Sequence, residues 1–184
     1  MDSKIKNIKF LQLNCDKSLA SHLQILQLAC EERIQIICLQ EPYVYVSHLN
    51  GTVKYTAPDN PNYNCYYATS GSRPYTMIYV QKNITSHKLI NSSNEHCTII
   101  KMDNHDDITN RDSFFVASIY SNPTDQSAAS RFHIMTKNLS SIQKKNLLLC
   151  ADANAKSGLW SSPITDKKGQ EIENLLLGNN LSVQ

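Results

Sequence analysis

Apolar residues along this chain fall into short, separated runs, and their spacing predicts strands alternating with helices. Residues 8–14, IKFLQLN, alternate Ile8, Phe10 and Leu13 imperfectly with polar neighbours, as a first strand does. From Ser18 the apolar positions Leu19, Leu23, Leu26 and Cys30 recur at helical steps. They predict one face of a helix running to about Arg33, capped by Asp16 or Ser18. Residues 36–40, IICLQ, read as a buried strand that Pro42 stops. Residues 43–74 read as irregular, broken at Asn50-Gly51, Pro58, Pro61 and Pro74, with a short strand at 64–69. Clearer strands follow at 75–81, 97–102 and 113–121. A second helix is expected at 127–144, with Phe132, Met135 and Leu139 inward. Residues 147–150, LLLC, predict a fully buried strand. A third helix is expected over 170–177, preceded by Gly169 and closed by Gly178. Residues 181–183 read as the start of another strand. Strand, helix and strand in this order predict a layered α/β arrangement.

Composition narrows the picture. The chain has 184 residues, 41% of them hydrophobic, which suits one domain with a sizeable core. Its 18 basic and 16 acidic residues leave a net charge of +2, too balanced to announce a nucleic-acid binder by charge alone. A local groove can still be basic. No run of 18 apolar residues exists, and the N-terminus, MDSKIKNIKF, lacks a signal-peptide apolar region. Six cysteines occur, none spaced as C-x-x-C, and Cys38 and Cys150 sit inside apolar runs. They read as reduced intracellular thiols, with neither a zinc site nor a disulfide frame. The acids of the polar stretch 103–112, Asp103, Asp106, Asp107 and Asp112, lack the glycine and closing glutamate of a calcium loop, so a solvated loop is expected.

The candidate chemistry sits where strands end. Asp152-Ala153-Asn154 ends the run 147–150, Glu41 ends the run 36–40, Asn14 and Asp16 follow the first strand, and Tyr120 closes another. Any one of these reads best as a turn residue. All of them in this order read as a constellation, provided the strands lie in packed sheets whose ends share a rim. Two carboxylates, amides and a phenol suit a hard divalent cation and a phosphoester.

These residues, with LQEPYV at 39–44, ADANAKSGLW at 151–160 and KGQEIENLLLGNNLSV at 168–183, resemble the endonuclease/exonuclease/phosphatase superfamily. Within it they are similar to the apurinic-endonuclease-like endonuclease domain of non-LTR retrotransposons. The resemblance runs from about Phe10 to the last residue. It implies a four-layer α/β sandwich of DNase I-like type, with two mainly antiparallel sheets flanked by helices. It also implies a Mg²⁺-dependent DNA endonuclease, with Mn²⁺ as an alternative ion, that leaves a 3′-hydroxyl on double-stranded DNA. A reverse transcriptase on the parent polyprotein, action in the nucleus and no membrane contact go with it. By the same resemblance Glu41 is the metal ligand and Asp16 a supporting acid. Asn14 positions catalytic groups, Tyr120 lies near the scissile phosphate, Asp152 orients or deprotonates water, and Asn154 binds phosphate. Tyr43 and Trp160 are expected to be mainly structural. The family's late Ser-Asp-His triplet is not found in this sequence. Residues 1–184 therefore read as a single domain, incomplete at its C-terminus, whose last strands are missing. A phosphatase of the same superfamily and a non-catalytic DNA-binding remnant remain as alternatives.

Overall fold

In the computed structural model the described residues are 8–69, 71–89, 92–103, 113–124, 132 and 146–183. They form β1 (Phe10–Asn14), α1 (Leu19–Glu31), β2 (Ile36–Gln40), β3 (Tyr45–Leu49), β4 (Thr52–Thr56), β5 (Tyr63–Tyr66) and β6 (Thr76–Gln81). After these come β7 (Ser86–Lys88), β8 (Cys97–Met102), β9 (Phe114–Tyr120), β10 (Leu147–Asp152), a 3-10 turn at Gly158–Trp160 and α2 (Lys167–Gly178). The helix expected at 127–144 lies outside the described residues apart from Phe132, which is helical and buried. The polar loop expected at 103–112 lies outside them beyond Asp103.

Two four-stranded sheets, ordered β1-β2-β6-β5 and β10-β9-β8-β7, pack face to face. Each has one parallel pairing, β1 with β2 and β9 with β10, and the other pairings are antiparallel. Alternation within the strands sorts the core. Ile36 and Cys38 of β2 meet Ile100, Val116 and Cys150 between the sheets. Ile37 and Leu39 face the other way, onto Ile25, Leu26 and Ala29 of α1. On the outer face of the second sheet Ile99 and Ile119 pack with Ile172 and Leu176 of α2. Helix, sheet, sheet, helix is the expected four-layer sandwich.

Several sequence expectations need correction. The buried face of α1 is His22, Ile25, Leu26 and Ala29, while Leu23 is exposed. Ser18 is the cap, its side chain accepting from the Ser21 N–H. The run 43–74 is not irregular throughout. β3 and β4 form a separate two-stranded ribbon about Asn50-Gly51, both left-handed, as a tight hairpin turn requires. β7 was not expected at all. β10 is only half-buried apart from Cys150, because it is an edge strand with one side unpartnered among the described residues. No strand forms at 181–183. There the Leu181 N–H donates to Leu176 O and the Asn180 N–H to Leu177 O. With Asn180 left-handed, this is a Schellman stop, so Asn180 rather than Gly178 ends α2.

His22 is buried because it has partners. The Tyr79 hydroxyl gives its proton to the Pro58 carbonyl at 2.8 Å, so His22 Nε2 donates to that hydroxyl at 3.0 Å. Burial holds the imidazole down at about 4, against an ordinary 6.5, with the Tyr43 backbone, which favours the protonated ring, offsetting part of the drop. The unfolded chain therefore takes the proton first as pH falls. Stability is full above pH 6.5 and is lost between there and pH 4, by about 3 kcal/mol in all. Urea midpoints at pH 7 and 4.5 should fall further for wild type than for His22→Leu. Equal losses would refute the assignment.

Candidate active site

Parallel pairing puts two strand ends side by side in each sheet. Asn14 lies opposite Gln40, one residue before Glu41, and Tyr120 lies opposite Asp152. Bonds between the sheets hold the two rims together. Gln40 Nε2 donates to Ser118 Oγ at 2.9 Å, and Gln12 Nε2 donates to the Ala151 carbonyl at 3.0 Å.

Asn14 is the joint. Its amide nitrogen donates one proton to Glu41 Oε2 at 3.1 Å and the other to Asp152 Oδ2 at 2.6 Å. Both amide protons are thus used, and two carboxylates from different sheets lie within two hydrogen-bond lengths of each other. The Asn14 carbonyl oxygen accepts the Asp16 N–H at 2.8 Å, which fixes which way the amide faces. Asp16 enters the site through this backbone bond. Its own side chain is exposed.

Glu41 is left-handed, with φ of 44°, ahead of Pro42. Its N–H donates to the Tyr75 carbonyl and its carbonyl accepts the Lys17 N–H. Burial would raise its pKa, but the Lys17 ammonium, the Asn14 amide and the Tyr120 hydroxyl together hold it below the usual carboxylate range. Tyr120 is buried, and burial followed by the charges of Glu41 and Asp152 pushes its phenol up. It stays protonated at neutral pH, a donor. Asn154 is also left-handed; its N–H donates to Asp152 Oδ1 and its amide to the Ser121 carbonyl at 3.0 Å. One amide proton of Asn154 is left for another acceptor. Non-glycine residues in this conformation store strain, and Asp16, Lys17, Glu41 and Asn154 all share it at this rim.

The structure adds residues that the sequence did not single out. Lys17 Nζ lies 2.6 Å from Glu41 Oε1. No spacing rule links positions so far apart in the chain. Tyr75 and His96 lie nearly parallel to Tyr120. Centroids are 4.7 Å apart for Tyr75–His96, 5.5 Å for Tyr75–Tyr120 and 6.4 Å for His96–Tyr120. The spacings describe a triangle, so Tyr75 lies across the other two rings. Tyr43 and Trp160 each have a neighbour within the fold. Tyr43 packs edge-on against Tyr45, and Trp160 Nε1 donates to the Ala155 carbonyl.

The loop that carries Asn154 is clasped to α2. Asp166 caps the helix by accepting from Gly169, and it exchanges two backbone-directed bonds with Lys156. Ser157 Oγ donates to Glu173. A Cβ on Gly169 would sit 1.8 Å from the Lys156 carbonyl oxygen, so only glycine fits.

Among the described residues no group of three or more His, Cys, Asp and Glu side chains converges as a closed metal cage. The donors that do converge, the Glu41 and Asp152 carboxylates with the Tyr120 phenol oxygen, are hard oxygen groups. They fit Mg²⁺, which often takes one or two carboxylates and keeps its waters.

Residues 114–184 match the family described as Endonuclease-reverse transcriptase. That segment holds Tyr120, Asp152 and Asn154 but not Asn14, Asp16 or Glu41. Among solved structures the chain is similar to the endonuclease domain of TRAS1, a telomere-specific non-LTR retrotransposon. The TM-score is 0.76 at 18% identity, over 94% of this chain and 71% of that one. The human Nocturnin catalytic domain with bound sulfate aligns at a TM-score of 0.44 and 14% identity, over 85% of this chain and 61% of that one. No curated protein matches the sequence significantly. Segment 114–184 thus resembles the endonuclease-reverse transcriptases, and the fold is similar to that of a non-LTR retrotransposon endonuclease domain.

Proposed function

We propose that this chain is a divalent-metal-dependent DNA endonuclease that hydrolyses one phosphodiester and leaves a 3′-hydroxyl. In that reading it is the target-nicking domain of a retrotransposon polyprotein that also carries a reverse transcriptase. The observation that carries the proposal is the Asn14 amide held between Glu41 and Asp152 beside a protonated Tyr120. Glu41 would hold the ion, Mg²⁺ or Mn²⁺, which when bound polarises the phosphate. Asp152, kept in place by Asn14 and the Asn154 N–H, orients the attacking water and takes its proton. Tyr120, its hydroxyl turning from Glu41 when the ion is held there, and the remaining amide proton of Asn154 donate to phosphate oxygens, where negative charge grows. Asp16 steers Asn14 through its N–H instead of joining the ligands.

Glu41→Gln keeps size and removes charge. Calorimetric titration with Mn²⁺ should show affinity at least tenfold weaker than wild type, and Mg²⁺-dependent nicking of supercoiled plasmid should be lost. Nicks made by the wild-type protein should prime a DNA polymerase directly, as a 3′-hydroxyl must. Unchanged metal affinity in Glu41→Gln, or nicks that fail to prime, would contradict the reading.

A further inference from the structure

Lys17 is held on Glu41 at two points, one of them its ammonium. Its Nζ lies 2.6 Å from Oε1, and its backbone N–H donates 2.8 Å to the Glu41 carbonyl. The chain reaches this contact only by placing Asp16 and Lys17 in the left-handed region one after the other, at φ of 48° and 56°, with Glu41 at 44°. Non-glycine residues seldom adopt such a pair of conformations. The Glu41 side chain is 13% exposed and the Lys17 side chain 45% exposed. The carboxylate is therefore fixed, while the cation sits at the open side on a flexible four-carbon stem.

The charges at the rim give this contact a meaning. Glu41 and Asp152, tied by Asn14, carry two negative charges, and Lys17 cancels one of them. In that state the rim is net negative and repels a phosphate. A divalent cation at Glu41 removes that repulsion, provided that the ammonium stays nearby. We propose that Lys17 is a resident counter-ion of Glu41 that the metal displaces, and that the released ammonium then pairs with the DNA phosphate. Metal loading thus precedes productive DNA binding at the rim, and Lys17 couples the two. This rests on Glu41 being the metal ligand, as proposed above.

Lys17→Met keeps the bulk of the stem and removes the charge. Lys17→Gly removes both and accepts the left-handed backbone freely, so it serves if the methionine disturbs the turn. Mn²⁺ affinity, read by calorimetry and by the loss of free-ion electron paramagnetic resonance signal, should rise about tenfold in either variant, since the competitor has gone. Binding of a DNA duplex is compared in an Asp152→Asn background, where the duplex stays intact. With Mn²⁺ present, the Lys17 variants should bind several-fold more weakly, with a salt slope lower by about one. Without Mn²⁺ the difference should be smaller, since Lys17 is then held on Glu41. Mn²⁺ affinity unchanged in both variants, alongside its loss in Glu41→Gln, overturns the displacement and leaves the ligand assignment standing. Mn²⁺ affinity unchanged in Glu41→Gln overturns the ligand assignment and this inference with it.

Discussion

Asp152→Asn is expected to slow single-turnover nicking by about 10²- to 10⁴-fold, the range typical of a lost general base. DNA affinity should change little. The carboxylate is held by Asn14 Nδ2 at 2.6 Å and by the Asn154 N–H at 3.3 Å, so it is fixed before any substrate arrives. An asparagine fills the same space but takes no proton from water. Its own amide nitrogen must also turn away from Asn14, which has only protons to offer on that side. Rates measured on enzyme in excess over plasmid, alongside fluorescence anisotropy with a labelled duplex, separate chemistry from binding. A variant that binds DNA poorly and cuts at the normal rate once bound would make Asp152 a binding residue instead.

Gly169→Ala should destabilise the protein by about 3 kcal/mol or more, in the class of overpacking against rigid backbone. For a domain of this size that lowers the melting temperature by about 6–12 °C. The added Cβ would meet the Lys156 carbonyl oxygen at 1.8 Å and its carbon at 2.8 Å, and backbone atoms cannot turn aside as a side chain can. The same clash pushes on the loop that carries Asn154, so nicking should weaken even well below the melting point. Gly178→Ala is the control. It lies in the same helix with open space around its Cβ, and alanine there should stabilise by up to about 1 kcal/mol. Equal melting temperatures for wild type and Gly169→Ala would show that α2 does not pack on Lys156 as described.

Both predictions depend on contacts between distant parts of the chain, and here the sequence and the structure part company. The periodicity around Leu19–Glu31 was enough to place α1, because a helix is a local object. It did not give the right face. Leu23 lost its place in the core to His22, because the Tyr79 hydroxyl lay across the fold to receive the imidazole. The run 36–40 announced β2, and all five residues are buried. The equally apolar run 147–149 is half-exposed, because edge or centre is a property of the sheet and not of the strand. The Asn50-Gly51 pair was a hairpin signal in plain sight. Residues 52–56 do alternate, but the partner segment 45–49 is exposed throughout and carries no such pattern.

The candidate site divides in the same way. Residue types at strand ends named Asn14, Glu41, Tyr120, Asp152 and Asn154, since acids, amides and phenols that interrupt apolar strands stand out in any reading. The sequence by itself determined which groups were available, and the wording around them pointed to the family. Only the tertiary structure decided that they meet. Two parallel pairings set strand ends level within each sheet, and packing of the sheets brought Asn14 between carboxylates from both. It also turned Asp16 into a backbone donor and set Lys17 on Glu41. The reason is physical: local patterning fixes where a chain runs straight or coils, whereas a charge finds its partner only once two sheets have packed.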